Sequence, residues 1–337
     1  TNVSHVYNLY MANALSPIYP DGGIDRHQIR QLLSRVERYH DARLARALDD
    51  LEPDQRHWVQ SLPLLFHRNH PGLACYAGAH CPAGIVGYRP DEAALTAAKR
   101  IAANFRFRQS ALVKPCIKGI YLIGSYGSIA YNSHSALDIG VCVDSGMDAK
   151  AIAALKQECA AICRWGKQLA LDTHCFVMDD NDFRRQQRDA MDSDSCGQTQ
   201  HVMLLDEFYR SGVKLAGLPL LWWCLPPKQS DPHLADKLLS QHFLPSRSAL
   251  HFGNSDLIPA EECLSAAVWQ LYKSINSPHK SLLKLMLLET YAAQYPIGST
   301  LSCDVKQALY DDELDNLDTI DPYVMMYKKV ERYLLER

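Results

Sequence analysis

Residues 117–143 read IKGIYLIGSYGSIAYNSHSALDIGVCV, and the two apolar runs in this stretch decide the fold. The first, 117–123, predicts a buried strand. The second, 136–143, predicts another, with side chains alternating between the two faces. Leu137, Ile139, Val141 and Val143 then enter a core, while Ala136, Asp138, Gly140 and Cys142 face the other way. Between the runs, the Gly124-Ser125 turn leads into a short helix predicted over 125–130. Backbone N–H groups at such a helix start make a natural phosphate cradle. A third strand, predicted over 170–178, puts Asp172 on one face with His174, Phe176 and Met178. If the second and third strands are neighbours, Asp138 and Asp172 converge beside the turn. Two carboxylates opposite a phosphate cradle suit magnesium, which takes oxygen ligands and shares its sphere with substrate phosphates. The plain alternative is an aspartate that only caps a strand end.

Around this unit the pattern is helical. Helices are predicted over 25–49, 54–67 and 91–105, the last opened by Asp91 after Pro90. Further helices are predicted over 147–168, 199–216, 232–243, 260–275, 278–294 and 322–336. Residues 68–90, rich in glycine and proline, read as a long ordered loop. The expected class is α/β (α+β), a mixed-sheet core with N-terminal helices and a C-terminal helical lobe. Its expected divisions are an arm at 1–24, the core with its first helices at 25–230, and the lobe at 231–337.

The 337 residues carry a net charge of -3, so a global electrostatic grip on nucleic acid is not expected. Arginines 30, 35, 38, 43 and 46, interleaved with acids, read as a solvated helix face. No apolar run approaches a membrane span, and the 11 scattered cysteines fit reduced thiols in the cytoplasm.

Gly-Ser, ten residues, then a tripeptide ending in Asp138, then a third strand with an acid: this order resembles the nucleotidyltransferase superfamily of DNA polymerase β. Longer stretches are similar to the catalytic half of the bacterial class I adenylate cyclases. They are SLPLLFHRNHPG at 61–72, GYRPDE at 87–92, GSYGS at 124–128, LDI at 137–139 and TQHVMLLDEFYRSGVKLAG at 199–217. AVWQLYKSINSPHKSLLKLMLLETY at 267–291 and DPYVMMYKKVERYL at 321–334 complete them. The resemblance implies a two-metal reaction, with Mg²⁺ or Mn²⁺, that cyclises ATP to 3′,5′-cyclic AMP and pyrophosphate. It implies that Gly124 and Ser125, with Ser128 of the same motif, hold the triphosphate. Asp138 would be a metal ligand, and Asp172 would help activate the 3′-hydroxyl. It also implies control by a regulatory C-terminal half or a protein regulator.

One position departs from the pattern. The family has acid-x-acid where this chain has Ala136-Leu137-Asp138, and alanine cannot ligate a metal. Natural decay, an engineered trap for bound substrate and a site rewired around another acid all fit. A nucleotide-binding pseudo-cyclase and a nucleotidyltransferase with another acceptor therefore stand as alternatives.

Ser277-Pro278 predicts a helix start, with Lys280 in its first turn and Lys284 one turn on. Positive charge is unwelcome there by ~0.3–1 kcal/mol unless an anion binds. Lys280 and Lys284, with Lys273 on the preceding helix, are therefore expected at the triphosphate. Arg210 and Lys214 read as an i,i+4 pair on the helix ending at Gly217, with Arg210 a secondary phosphate candidate. His67, His70, Cys75, His80 and Cys81 match no standard zinc spacing. Trp222 and Trp223 read as a packed strand or turn, and Cys159 and Cys163 as core.

Overall fold

Strands β1 (Ile117–Ile123) and β2 (Leu137–Val143) pair antiparallel, and both are largely buried. β3 (Thr173–Asp179) lies parallel to β2, and β4 (Val213–Gly217) antiparallel to β1. The sheet order is β3-β2-β1-β4. The computed structural model describes residues 26–102, 106–107, 115–184, 200–227, 234–240, 248–311 and 317–337. The arm expected over 1–24 lies outside them.

The helices are α1 (Arg26–Asp49), α2 (Pro53–His67), α3 (Glu92–Ile101), α4 (Ala149–Gln168), α5 (Asp180–Arg184) and α6 (His201–Ser211). They continue with α7 (Leu234–Ser240), α8 (Ala260–Lys273), α9 (Pro278–Gln294), α10 (Leu301–Tyr310) and α11 (Pro322–Leu335). Parallel β2 and β3 need a crossover, and α4 supplies it. Its start is fixed by Asp148, whose carboxylate accepts from the Ala151 N–H, as Asp91 does for α3. Among the described residues no helix is long and apolar enough to cross a membrane.

Both sheet faces are covered. Leu137, Ile139, Val141 and Val143 pack with Trp58 and Leu62 of α2 and Leu155 and Ile162 of α4. On the other face Tyr121, Cys142 and Met178 meet Val36 and Tyr39 of α1, Phe208 of α6 and Val305 of α10. Each such side chain contributes about 1.5–3 kcal/mol through burial. Trp222 and Trp223 sit in a buried 3₁₀ turn at Leu221–Cys224, with Trp222 stacked on Tyr209 at 4.4 Å. They are packed, as expected.

Three sequence expectations are corrected. The helix predicted over 199–216 stops at Ser211, and the chain continues as β4. A methyl group on Gly212 would lie 2.7 Å from the Phe208 carbonyl oxygen, so glycine lets the chain pass directly from helix to strand. Lys214 therefore sits on the sheet, ion-paired with Glu37, and forms no helical pair with Arg210. The segment 125–130 forms successive turns rather than a helix. Gly127 has φ +68°, outside helical geometry, and a methyl there would stand 2.3 Å from the Arg43 carbonyl oxygen. The arginines of α1 do not share a solvated face: Arg35 and Arg43 are buried. Arg35 donates to the carbonyls of Leu309 and Tyr310 at the end of α10.

Candidate active site

The site forms at the end of the sheet where β1 runs out and β2 begins. Asp138 is opposite Ile123 on β1 and opposite His174 on β3. β3 begins one residue later than Asp172, yet the Leu137 N–H donates to the Asp172 carbonyl at 2.6 Å, which holds the acid beside β2. Period-2 alternation then puts positions 136, 138, 172 and 174 on one face.

The two carboxylates meet at one imidazole. His174 Nδ1 lies 3.2 Å from Asp138 Oδ1, and Nε2 lies 3.7 Å from Asp172 Oδ1. All three side chains reach solvent, at 33% for Asp138, 60% for Asp172 and 37% for His174, so a ligand can approach. The imidazole stands between the two carboxyl groups, and neither of them is turned into the core. Below them on the same face, Gly140 makes room for Met178 and Ile123; a methyl there would meet both at about 3 Å. Ala136 lies half-buried beside the turn, its carbonyl 4.0 Å from where a Gly124 Cβ would stand.

Gly124 has φ +104°, which favours glycine, and its N–H donates to Ser211 Oγ at 3.2 Å. The Ser125 and Ser128 hydroxyls are buried. Ser125 donates to Ser135 Oγ at 2.9 Å, and Ser128 to the Ser125 carbonyl at 2.6 Å. In this state both hydroxyls shape the turn from within. Arg43 holds the turn from behind, donating to the carbonyls of Tyr126 and Gly127 and to those of Arg210 and Ser211 at the end of α6. Asp321 holds its far side: the carboxylate accepts from the Ile129 and Tyr323 N–H groups at 2.9 Å and pairs with Arg46. Sequence reasoning placed Arg43 on a solvated helix face, passed over Ser135, Ser211 and Asp321, and noted His174 only for its face. The one readable signal was Asp321-Pro322, an N-cap before a helix-starting proline.

The cationic residues divide into two groups. Lys284 Nζ bonds Glu207 Oε1 at 2.9 Å, and Arg210 Nε contacts Asp206 Oδ2 at 3.3 Å. Lys284, with Arg210 and Lys280 adding to it, pulls the Glu207 carboxyl down to about 2. Glu207 precedes Ser211 by one helical turn, about 6 Å along α6, so this cluster borders the Gly124 turn. Lys280 is exposed, 6.0 Å from the Tyr323 ring centroid, and among the described residues no carboxylate pairs with it. Lys273, at the end of α8, lies over its own helix's Trp269. Ser277 stands at the N-cap of α9 without a side-chain cap bond.

Other candidates have structural roles. His67 Nδ1 accepts from the Ile85 N–H, and His70 Nδ1 from the Gly72 N–H. Cys81 donates to Glu158. Among the described residues no group of three or more His, Cys, Asp or Glu is gathered around a point that could hold a metal. A cleft of about 390 Å³, bordered by Tyr88, Arg89 and Lys214, opens at the β4 edge and contains none of the site residues above.

Comparison with known proteins bears on this geometry. The family model described as the adenylate cyclase NT domain matches residues 28–223, and that of the class I adenylate cyclase second domain matches 258–337. The chain is 35% identical over 314 residues to adenylate cyclases of Shigella flexneri and Escherichia coli K12, covering 91% of this chain and 36% of each relative. The Proteus mirabilis adenylate cyclase matches at 35% over 315 residues with the same shares. The chain thus spans about a third of the length of these relatives. No solved structure matches it.

Proposed function

We propose, since this chain belongs to the class I adenylate cyclase family, that it converts ATP to 3′,5′-cyclic AMP and pyrophosphate. The observation that carries this reading is the meeting of Asp138 and Asp172 at one imidazole beside the Gly124 turn. The ribose 3′-oxygen attacks the α-phosphorus in line; the bond to the β-phosphoryl bridging oxygen breaks, and the hydroxyl proton passes to solvent. A bound divalent cation would neutralise phosphate charge and ease ionisation of the 3′-hydroxyl.

The residues fit that cation incompletely. Ala136 brings no donor, and the imidazole stands between the two carboxylates, so one ion would reach Asp138 together with His174 but not both acids, which suits a single ion rather than two magnesium ions. Asp138 and Asp172 supply the negative charge that gathers the cation and orients the ribose end. Gly124 and Ser125 carry the triphosphate on the turn, whose curvature Ser128 maintains. Lys280, Lys284 and Arg210 offset phosphate charge from the α6 and α9 side, and Lys273 adds to that field from the end of α8. A cytoplasmic setting, with ten free thiols among the described residues, and control by a regulatory half or protein regulator belong to the same proposal.

A pseudo-cyclase that binds ATP without turning it over is the second reading, favoured by Ala136 alone. The test is incubation with ATP and Mg²⁺ or Mn²⁺, reading cyclic AMP and pyrophosphate together. Equimolar products, reduced at least ~10–100-fold in Asp138→Asn, support the cyclase. Binding of ATP without product, in both the native chain and Ala136→Asp, overturns it.

A further inference from the structure

We propose that His174 Nδ1 and Asp138 Oδ1 together ligate one divalent cation, with Asp172 orienting the imidazole, so that a histidine on β3 takes over from the acid absent at position 136. This rests on the reading of the face as a cation and ATP site, and it turns that site from magnesium towards a first-row transition-metal ion.

Strand register supplies the first argument. Asp138 is opposite His174, and Leu137 pairs with Thr173, so position 136 falls opposite Asp172. The four positions make a square on one face of the sheet. Ala136 empties one corner, and His174 occupies the diagonal one, still adjacent to Asp138. The donor lost from β2 is thus matched by a donor on β3 within reach of the same ion.

Distances supply the second. Two ligands ~2.1 Å from an octahedral ion, at right angles, stand ~3.0 Å apart. Asp138 Oδ1 and His174 Nδ1 are 3.2 Å apart, so an ion can replace the hydrogen-bonded proton with little movement of either side chain. The opposite ring nitrogen faces Asp172 Oδ1 at 3.7 Å. A metal-ligating histidine characteristically turns its other N–H towards a carboxylate, which fixes the tautomer and raises the basicity of the ligating nitrogen. At 3.7 Å this approach is longer than a hydrogen bond, and closing it by a few tenths of an ångström as the ion binds would leave Nδ1 as the ligand. Two protein ligands leave the remaining sites of the ion for phosphate oxygens and water, and the partial exposure of all three side chains permits it.

Ligand chemistry supplies the third. Magnesium dehydrates reluctantly and takes oxygen, whereas an imidazole nitrogen favours first-row transition ions. Replacing a carboxylate by an imidazole also lowers the negative charge of the site, which weakens magnesium most because its binding is the most purely electrostatic.

The experiment uses the full chain and Mn²⁺ as the probe, with and without a non-cyclisable ATP analogue. Binding is read by loss of the free Mn²⁺ resonance, and ligation by pulsed electron paramagnetic resonance, which detects an imidazole nitrogen bound to manganese. The expected result is one Mn²⁺ per chain with nitrogen coupling, displaced only by at least tenfold more Mg²⁺. His174→Ala and His174→Gln should lose the coupling and weaken Mn²⁺ binding ~10–100-fold while leaving Mg²⁺ binding nearly unchanged. Ala136→Asp should raise Mg²⁺ affinity. Absence of Mn²⁺ binding, absence of nitrogen coupling in the native chain, or coupling that survives in both histidine variants overturns the proposal. The native spectrum needs no variant, so a variant that fails to fold leaves the test intact. Coupling as expected with no cyclic AMP formed sinks the cyclase reading and keeps the metal assignment. Cyclic AMP formed with Mn²⁺ by a native chain whose spectrum shows no nitrogen coupling does the reverse.

Discussion

Glu158 is buried in α4, with only the Cys81 thiol donating to its carboxylate, and burial pushes its pKa from 4.5 up to about 7. A carboxyl raised on folding binds more protons folded than unfolded between those values, so stability falls as pH rises from about 4.5 to 7. Glu158→Gln should flatten that slope and gain up to about 3 kcal/mol at pH 8, checked by urea unfolding across the range. The two lysines of α9 should separate in the same way. Lys280 has no carboxylate partner among the described residues, and Lys280→Ala should weaken binding of an ATP analogue about tenfold, near 1.4 kcal/mol, with the melting temperature unchanged. Lys284→Ala takes from Glu207 its hydrogen-bonded cation, leaving Arg210 at 3.9 Å, and should lower the melting temperature as well. Calorimetric titration and thermal melts on both variants check this. At these positions the sequence told more about type than about use. The positive charge at the start of α9 was legible from Ser277-Pro278, but the Glu207 partner comes from α6, far away in the chain.

The Gly124 to Ala130 turn is where local reading and structure part most clearly. A serine-rich start after a strand suggests a helix, but Gly127 is pressed against α1, and its φ of +68° breaks the helical path. Gly127→Ala should cost about 2–4 kcal/mol and reduce nucleotide affinity, since both the backbone strain and the 2.3 Å approach to Arg43 must be relieved. Arg43→Lys should cost a similar 2–4 kcal/mol, because an ammonium cannot span four carbonyls as the guanidinium fork does. Chemical denaturation checks both. β1 was legible as an apolar run and β2 from its alternation, and Asp91 because a cap is a local event. β4 was not: VKLAG follows a helix directly, and its strand form depends on pairing with β1. α10 was overlooked although Thr300 caps it through the Cys303 N–H, a short signal between two longer helices. Arg43 was misread because the four carbonyls it clasps are peptide oxygens, which leave no mark in the sequence.

Across the molecule, Asp321 joins three distant parts: Arg46 on α1, the Ile129 N–H of the turn and the start of α11. Asp321→Ala should cost about 3 kcal/mol and speed hydrogen exchange at 124–131 well before the sheet strands exchange, which mass spectrometry of peptic fragments would resolve. The same connection explains why the whole site was less legible than its pieces. Asp138 and Asp172 could be paired from strand periodicity, but the turn they face is held by helices from both ends of the chain. The grip of Arg43 on main-chain oxygens has a further implication for how this chain can drift over generations. Every peptide unit offers the same oxygen whatever side chain it bears, so exchanges at Tyr126, Arg210 or Ser211 leave the clasp whole, while its fragility is concentrated in a single codon.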